Sequence, residues 1–256
     1  MHQLDNQHAF PPLYHIHNSR DAEDIPFWLE LAAQQGDPIL ELGCGTGRVL
    51  VPLAEEGHLV FGLDHDPNML AYLRRHMPAH LHQHTRLILD DLSEFSIMQN
   101  FSLILLPCNT YTTLTSEQRS KALNRVFKHL NPTGVFSASM PNPDYLKRLS
   151  KKAEPDIEDV FPHPLDGEPV QVSSAWTRTT NQVIITWFYD HLLPDGNVVR
   201  LIYEVTQNIL PVDELLDEFR LANFSIDELY GDFDRSPLTK DSTYLVLTVS
   251  PRQGNF

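Results

Sequence analysis

The chain has 256 residues, 41% of them hydrophobic, and a formal net charge of −15. That length accommodates one large α/β domain, or one domain carrying a sizeable insertion. Such acidity repels a phosphate backbone, whose binding rests on Lys and Arg, and argues against a nucleic-acid partner. The one basic stretch, Lys147 to Lys152, runs straight into acidic residues. No apolar run approaches the ~20 residues of a membrane span. The segment MHQLDNQHAFPPLYH lacks the basic and apolar regions of an export leader, and Cys44 and Cys108 are too few for a disulfide framework. A cytoplasmic protein is expected, with no membrane partner and no nucleic-acid partner.

Residues 1–38 read as an N-terminal arm and a helix. From Ile39 onward, short apolar runs alternate with helix-like stretches, the pattern of βαβ units around a parallel sheet. PILEL is strand one, and Pro52 shortens or kinks the helix after it. HLVFGLD is strand two; Asp66 followed by Pro67 is an N-cap with proline at the first helical position. RLILDD is strand three. FSLILLP, without a charge, is strand four, covered on both faces. Thr115 to Gln118 forms a capping box for a helix through Leu130, and NPTG turns the chain into strand five, VFSAS.

After Met140 a proline-rich, charged segment without periodicity reads as a crossing or lid. VQVSSAWTRT, QVIITWFYDHLL and VVRLIYEVTQNIL then read as an antiparallel meander. A helix, PVDELLDEFRLANF, and two strands, SIDELYG and STYLVLTVS, complete the pattern. The expected fold is α/β: a mostly parallel seven-stranded sheet with helices on both faces, plus an inserted antiparallel meander after strand five. Residues 39–144 and 211–256 form its main domain, and 145–210 the inserted lid and meander.

The stretch ILELGCGTGRVLVPLAEEG places three glycines within five positions directly after an apolar run. A dinucleotide turn, G-x-G-x-x-G, needs its third glycine where Arg48 stands, and a triphosphate loop fails at the same place. Glu41 ends strand one beside the turn, where a carboxylate disfavours a pyrophosphate and suits an ammonium or sulfonium. Asp64 closes strand two about 20 residues on, where an acid meets ribose hydroxyls. Asp91 closes strand three, the position next to a base. Alternation sends Asp90 to the opposite face. Together the acids imply a cationic nucleoside.

On these residues the chain resembles the class I S-adenosylmethionine-dependent methyltransferases. ILELGCGTG is similar to their first motif, VFGLDHDPNML to the second and LILDDLSEF to the third; the likeness runs from Tyr14 to Pro251, with Thr133 departing from a glycine before strand five. The meander and YGDFDRSPLTKDSTYLVLT resemble the small-molecule branch that includes glycine N-methyltransferase and amino-sugar N-methyltransferases. The resemblance implies a Rossmann-like fold and S-adenosylmethionine as cofactor. It implies that Gly43, Cys44 and Gly45 approach the methionine portion, that Glu41 meets its ammonium and that Asp64 takes the ribose. His65 and Met69 would line the ribose and adenine, Asp91 and the Leu92 backbone would hold the adenine, and the carbonyl of Leu106 or Pro107 would join the ammonium. Tyr14 either closes over the sulfonium or staples the N-terminal arm.

LPCNTY lacks the Asn-Pro-Pro-Tyr signature of nucleobase and glutamine methylation, leaving Asn109, Thr110 and Tyr111 to orient an acceptor. His17, Asp190 and His191 are candidate bases. His80, His82 and His84, without a nearby carboxylate, read as a solvated connector, and no metal is expected. Acidic residues between Glu154 and Glu168 favour a basic acceptor through charge. The expected function is in-line methyl transfer to a small molecule, an amine ahead of a phenol or carboxylate, with 145–210 selecting the acceptor. A non-catalytic S-adenosylmethionine binder is the alternative; a nicotinamide-dependent reductase is disfavoured by Arg48 and Glu41. A homodimer is compatible with the sequence.

Overall fold

The computed structural model describes residues 6–20 and 22–252. In chain order, helices α1 (Asn6–Ser19) and α2 (Ile25–Gln35) precede β1 (Ile39–Leu42), α3 (Leu50–Glu55), β2 (Val60–Asp64), α4 (Pro67–His76), a 3-10 turn at Ala79–Gln83 and β3 (Thr85–Leu89). Then come β4 (Phe101–Leu106), α5 (Thr110–Thr113), α6 (Ser116–His129), β5 (Leu130–Pro141) and α7 (Pro143–Arg148). Four strands follow, β6 (Lys152–Pro162), β7 (Pro169–Arg178), β8 (Gln182–Leu192) and β9 (Val198–Asn208), before α8 (Val212–Leu221), β10 (Phe224–Tyr230) and β11 (Tyr244–Pro251).

These elements divide into two units: the described parts of Glu23–Leu146 and Leu210–Phe256, and those of Met1–Ala22 with Lys147–Ile209. Residues 1–38 are therefore shared between both. The first unit holds a seven-stranded sheet ordered β10-β11-β5-β4-β1-β2-β3, parallel except that β11 runs antiparallel to both its neighbours. Its central strands are apolar throughout because each face has its own core. Ile39, Leu103 and Leu105 pack with Phe27 and Trp28 of α2, while Leu40, Leu42, Ile104 and Leu106 pack with Leu123 of α6 and Phe219 of α8. Side chains that alternate along a strand feed the two cores in turn.

Caps match the sequence closely. The Asp66 carboxylate accepts from the Asn68 N–H at 2.8 Å at the start of α4, and Thr115 and Gln118 form a reciprocal capping box on α6. Two boundaries shift. β3 stops at Leu89, so Asp90 and Asp91 lie beyond it. NPTG belongs to β5, whose pairing with β4 is irregular between Phe101 and Leu103.

The second unit is α1 with an antiparallel sheet ordered β6-β7-β8-β9. Its small core joins Leu13 of α1 to Phe161, Val170, Val172, Tyr189 and Leu201. Two expectations fail here. Tyr14 lies inside α1 rather than before a helix, because a helix forms despite Pro11 and Pro12. The segment expected to be an irregular lid contains α7 and the edge strand β6. β6 shows no alternation because its pairing with β7 slips between Ala153 and Asp156 and again between Ile157 and Asp159, and almost all its residues are exposed.

Tyr111 is also corrected. Its ring is fully buried against Phe219, and its hydroxyl donates to Glu218 Oε2 at 2.7 Å. Arg119, 4% exposed, donates from Nε and Nη2 to the same carboxylate, each at 2.8 Å. Tyr111 thus ties α5 to α6 and α8 instead of facing an acceptor. Removing one partner strands a buried charge. Glu218→Ala is expected to cost about 2–4 kcal/mol, below the fully buried case because Glu218 keeps some solvent contact, whereas Tyr111→Phe costs about 1 kcal/mol for one hydrogen bond. Urea denaturation of both variants checks the ranking.

Candidate functional site

β1 lies between β2 and β4, the place where the strand order of the sheet reverses. In open α/β sheets a ligand crevice forms beyond the carboxyl ends of the strands at such a point. The glycine turn begins there. Gly43, Gly45 and Gly47 have φ of +67°, +52° and +87°, a region that side chains other than glycine resist. A Cβ on Gly47 would collide with Leu73 and Val51, so that glycine serves packing; at Gly45 it would meet nothing within 4 Å. Space over the half-buried backbone is therefore left at Gly45.

Asp64 fastens the turn to β2. Its Oδ2 accepts from the Gly45 N–H at 2.7 Å and its Oδ1 from the Asp66 N–H at 2.9 Å. A carboxylate has about four lone-pair positions, so two remain. Nearby, His65 is exposed, with Nδ1 3.7 Å from Asp64 Oδ1, and Met69 is buried in the first turn of α4. The Asp90 N–H donates to the Asp64 carbonyl at 3.1 Å, joining the ends of β2 and β3. Asp91 is exposed; its Oδ1 accepts from the Ser93 hydroxyl at 2.6 Å and N–H at 2.7 Å, which hold the carboxyl below its ordinary range. Leu92 and Leu106 are buried. After β4 the chain turns sharply through Cys108 and Asn109, both at positive φ, into α5.

Glu41 is the unusual group. It is 2% exposed, the Leu50 backbone supports it from one side, and its Oε2 has no hydrogen-bond partner among the described residues. Burial pushes its pKa from 4.5 up to about 8, against the opposing charge of Arg48 and with the help of Asp64 and Asp24. A carboxyl in this position gains most from a cation brought to it.

In the sequence Arg48 marks only the position where a third glycine or a loop glycine is missing. In the structure it grips Asp24 with both Nη atoms, one at 2.7 Å, and donates to Cys108 Sγ at 2.7 Å. Trp28 Nε1 completes Asp24 at 2.8 Å. Burial raises the Asp24 pKa, but the Arg48 bond outweighs it and the carboxyl stays ionised below its usual range. Two ionic residues 24 apart gave no local signal.

Glu41, Gly43, Cys44, Gly45, Asp64, His65, Met69, Asp91, Leu92, Leu106 and Asn109 all belong to the seven-stranded unit, at or just beyond the carboxyl ends of its strands. Tyr14 belongs to the four-stranded unit, its ring against Phe10 and Tyr203. There His17 Nδ1 lies 3.0 Å from the Tyr189 hydroxyl and Nε2 3.7 Å from Glu158, while Trp187 donates to Glu158 at 3.1 Å and Ser174 donates to the same carboxylate. Burial lowers the His17 pKa, which Glu158 and Asp159 only partly oppose. Of the other candidate bases, Asp190 is engaged by Arg200 at 2.6 and 2.7 Å, and His191 by Asp166 at 3.2 Å.

Residues 39–134 match a family described as a methyltransferase domain. The chain is 26% identical over 141 residues to the dTDP-3-amino-3,4,6-trideoxy-alpha-D-glucopyranose N,N-dimethyltransferase of Streptomyces venezuelae, covering 53% of this chain and 56% of that one. It spans about half the length of the curated relatives it matches. The CcbJ methyltransferase of Streptomyces caelestis superposes with a TM-score of 0.78 at 20% identity, covering 97% of this chain and 98% of that one. The glycopeptide N-methyltransferase MtfA, solved with S-adenosyl-L-methionine, superposes with a TM-score of 0.62 at 17% identity over 90% and 87%. These structures share the fold.

Folded protein keeps the Glu41 proton to about pH 8, whereas the unfolded chain releases it near 4.5. Stability is therefore lost as pH rises from the lower value through the higher. Glu41→Gln is expected to flatten the decline of Tm across that window. Thermal melts at pH 5 to 9, taken at about unit steps, check this, and an unaltered slope contradicts it.

Proposed function

We propose that this chain, whose residues 39–134 match a methyltransferase domain family, is a class I S-adenosylmethionine-dependent methyltransferase that transfers a methyl group from S-adenosylmethionine to a small-molecule amine. Glu41 carries this reading. A buried carboxyl with an unpartnered oxygen at the switch point of the sheet calls for a cation, and a pyrophosphate there would be repelled. The cofactor's contribution is a methyl group made electrophilic by its sulfonium.

Glu41 and the Leu106 carbonyl would hold the ammonium, and the backbone of Gly43, Cys44 and Gly45 the methionine portion. Asp64 offers its two remaining lone-pair positions to ribose hydroxyls, flanked by His65 and Met69, while Asp91 and the Leu92 backbone take the adenine. Methyl transfer needs the acceptor lone pair in line with the breaking bond, so the protein contributes mainly position, worth up to ~7–11 kcal/mol.

We assign acceptor recognition to the four-stranded unit, with Tyr14. Glu154, Asp156, Glu158 and Asp159 lie on β6, and Asp166 and Glu168 in the hairpin after it; this charge favours a basic acceptor. An amine must lose its proton before attack, and His17, its pKa lowered by burial, is a candidate base alongside Asp190 and His191. The amino-sugar substrate named for the Streptomyces venezuelae relative supports nitrogen over oxygen.

Calorimetry is expected to show micromolar binding of S-adenosylhomocysteine and none of NAD(H). Asp64→Ala should weaken that binding by roughly 1.5–3 kcal/mol, the loss of charge-assisted hydrogen bonds. Tight nicotinamide binding without a response to S-adenosylhomocysteine overturns the donor. For the acceptor, small amines, amino sugars, phenols and carboxylates are screened by S-adenosylhomocysteine release. Turnover confined to phenols and carboxylates overturns the choice of nitrogen.

A further inference from the structure

We propose that His163, Asp166 and His191 form a binding site for a borderline divalent cation, zinc above all, which clips the β6–β7 hairpin to β8. One ligand atom from each residue lies within 4.8 Å of the others. His163 Nδ1 is 3.3 Å from Asp166 Oδ1, and His191 Nε2 is 3.2 Å from Asp166 Oδ2. Zinc binds nitrogen and oxygen at about 2.0–2.2 Å, which in a tetrahedron sets neighbouring ligand atoms about 3.3–3.6 Å apart. Both imidazole–carboxylate separations already stand close to the spacing that a shared ion requires. The two rings are stacked with centroids 4.0 Å apart and planes within 9°; imidazole lone pairs lie in the ring planes, so binding one ion requires the rings to rotate out of that stack.

The frame is built in advance. The His163 N–H donates to the Glu168 carbonyl at 2.7 Å and the Gly167 N–H to the His163 carbonyl at 2.9 Å, closing the hairpin. The Glu168 N–H donates to Asp166 Oδ1 at 3.1 Å and orients the carboxylate. His191 sits opposite Val170, next to the hairpin, in the β7–β8 register. Both imidazoles are largely buried, at 15% and 13%, while Asp166 is 44% exposed. An ion can therefore enter from solvent and keep a water as fourth ligand. Two imidazoles and one carboxylate suit zinc or its first-row neighbours, not magnesium or calcium, which require oxygen-rich sites. The competing arrangement, with no ion bound, has His191 Nε2 donating to Asp166 at 3.2 Å while His163 Nδ1 accepts from the Leu165 N–H at 3.4 Å.

The test uses the full chain, stripped with a chelator and titrated with zinc by calorimetry. Cobalt absorption serves as a ligand-field readout. One zinc per chain is expected, with a raised Tm and no response to magnesium or calcium. Asp166→Asn and His191→Asn should each weaken zinc at least as much as the roughly 10–100-fold that outer partners cost, and the tetrahedral cobalt spectrum should disappear. Replacing His80, His82 and His84 together with Asn should change nothing. The proposal is overturned if native chain binds no zinc at micromolar concentration, if both single variants bind like the native chain with an unchanged metal-free Tm, or if the triple replacement abolishes binding. Should either single variant fold poorly, His163→Asn is read by the same criteria.

Discussion

Holding a carboxyl group inside a protein with one oxygen unpartnered is costly, and the seven-stranded unit is organised around that cost at Glu41. The residue stands in the central strand at the point where strand order reverses. Apolar layers on both faces, which make β1 a good strand, also strip Glu41 of water. The folded protein meets the penalty by retaining a proton near neutral pH. In the proposed function a cation delivered to the crevice would reverse the balance, turning a destabilising residue into a binding one.

The same region uses its other acids differently. Asp64 is tied to two backbone N–H groups and organises the glycine turn. Asp24 is neutralised by Arg48 and Trp28. Asp91, in solvent, is held ionised by Ser93. Asp24, Asp64 and Asp91 thus differ in availability through their local partners, and Glu41 through burial. One ion pair, Arg48 with Asp24, links the residue before α2 to the turn that leads into α3.

The four-stranded unit has a smaller core and relies more on polar pairs. Glu158 gathers Ser174, Trp187 and His17, while Asp190 and Arg200 lock β8 to β9 with the guanidinium also 5.0 Å from the Phe188 ring. Trp187 and Tyr189 turn toward α1, and Phe188 between them toward the opposite face.

Local sequence determined the strands, caps and glycine turn, because each is set by short-range physics. Apolar runs of four to six residues such as ILEL and FSLILL announce buried strands; Asp66-Pro67 and Thr115 with Gln118 announce helix starts; three close glycines announce positive φ. The acids at strand ends were legible for the same reason. Tertiary structure alone decided which polar groups meet. It buried Tyr111 on Glu218, paired Arg48 with Asp24, and made an edge strand of residues 152–162 whose slipped register erased any alternation. It also brought His163 and His191 together from positions 28 apart in the chain, whereas the conspicuous His80 and His82 stand on a 3-10 turn and His84 directly after it. Such contacts depend on strand register and helix packing, which act across long separations and leave no periodic trace in the chain.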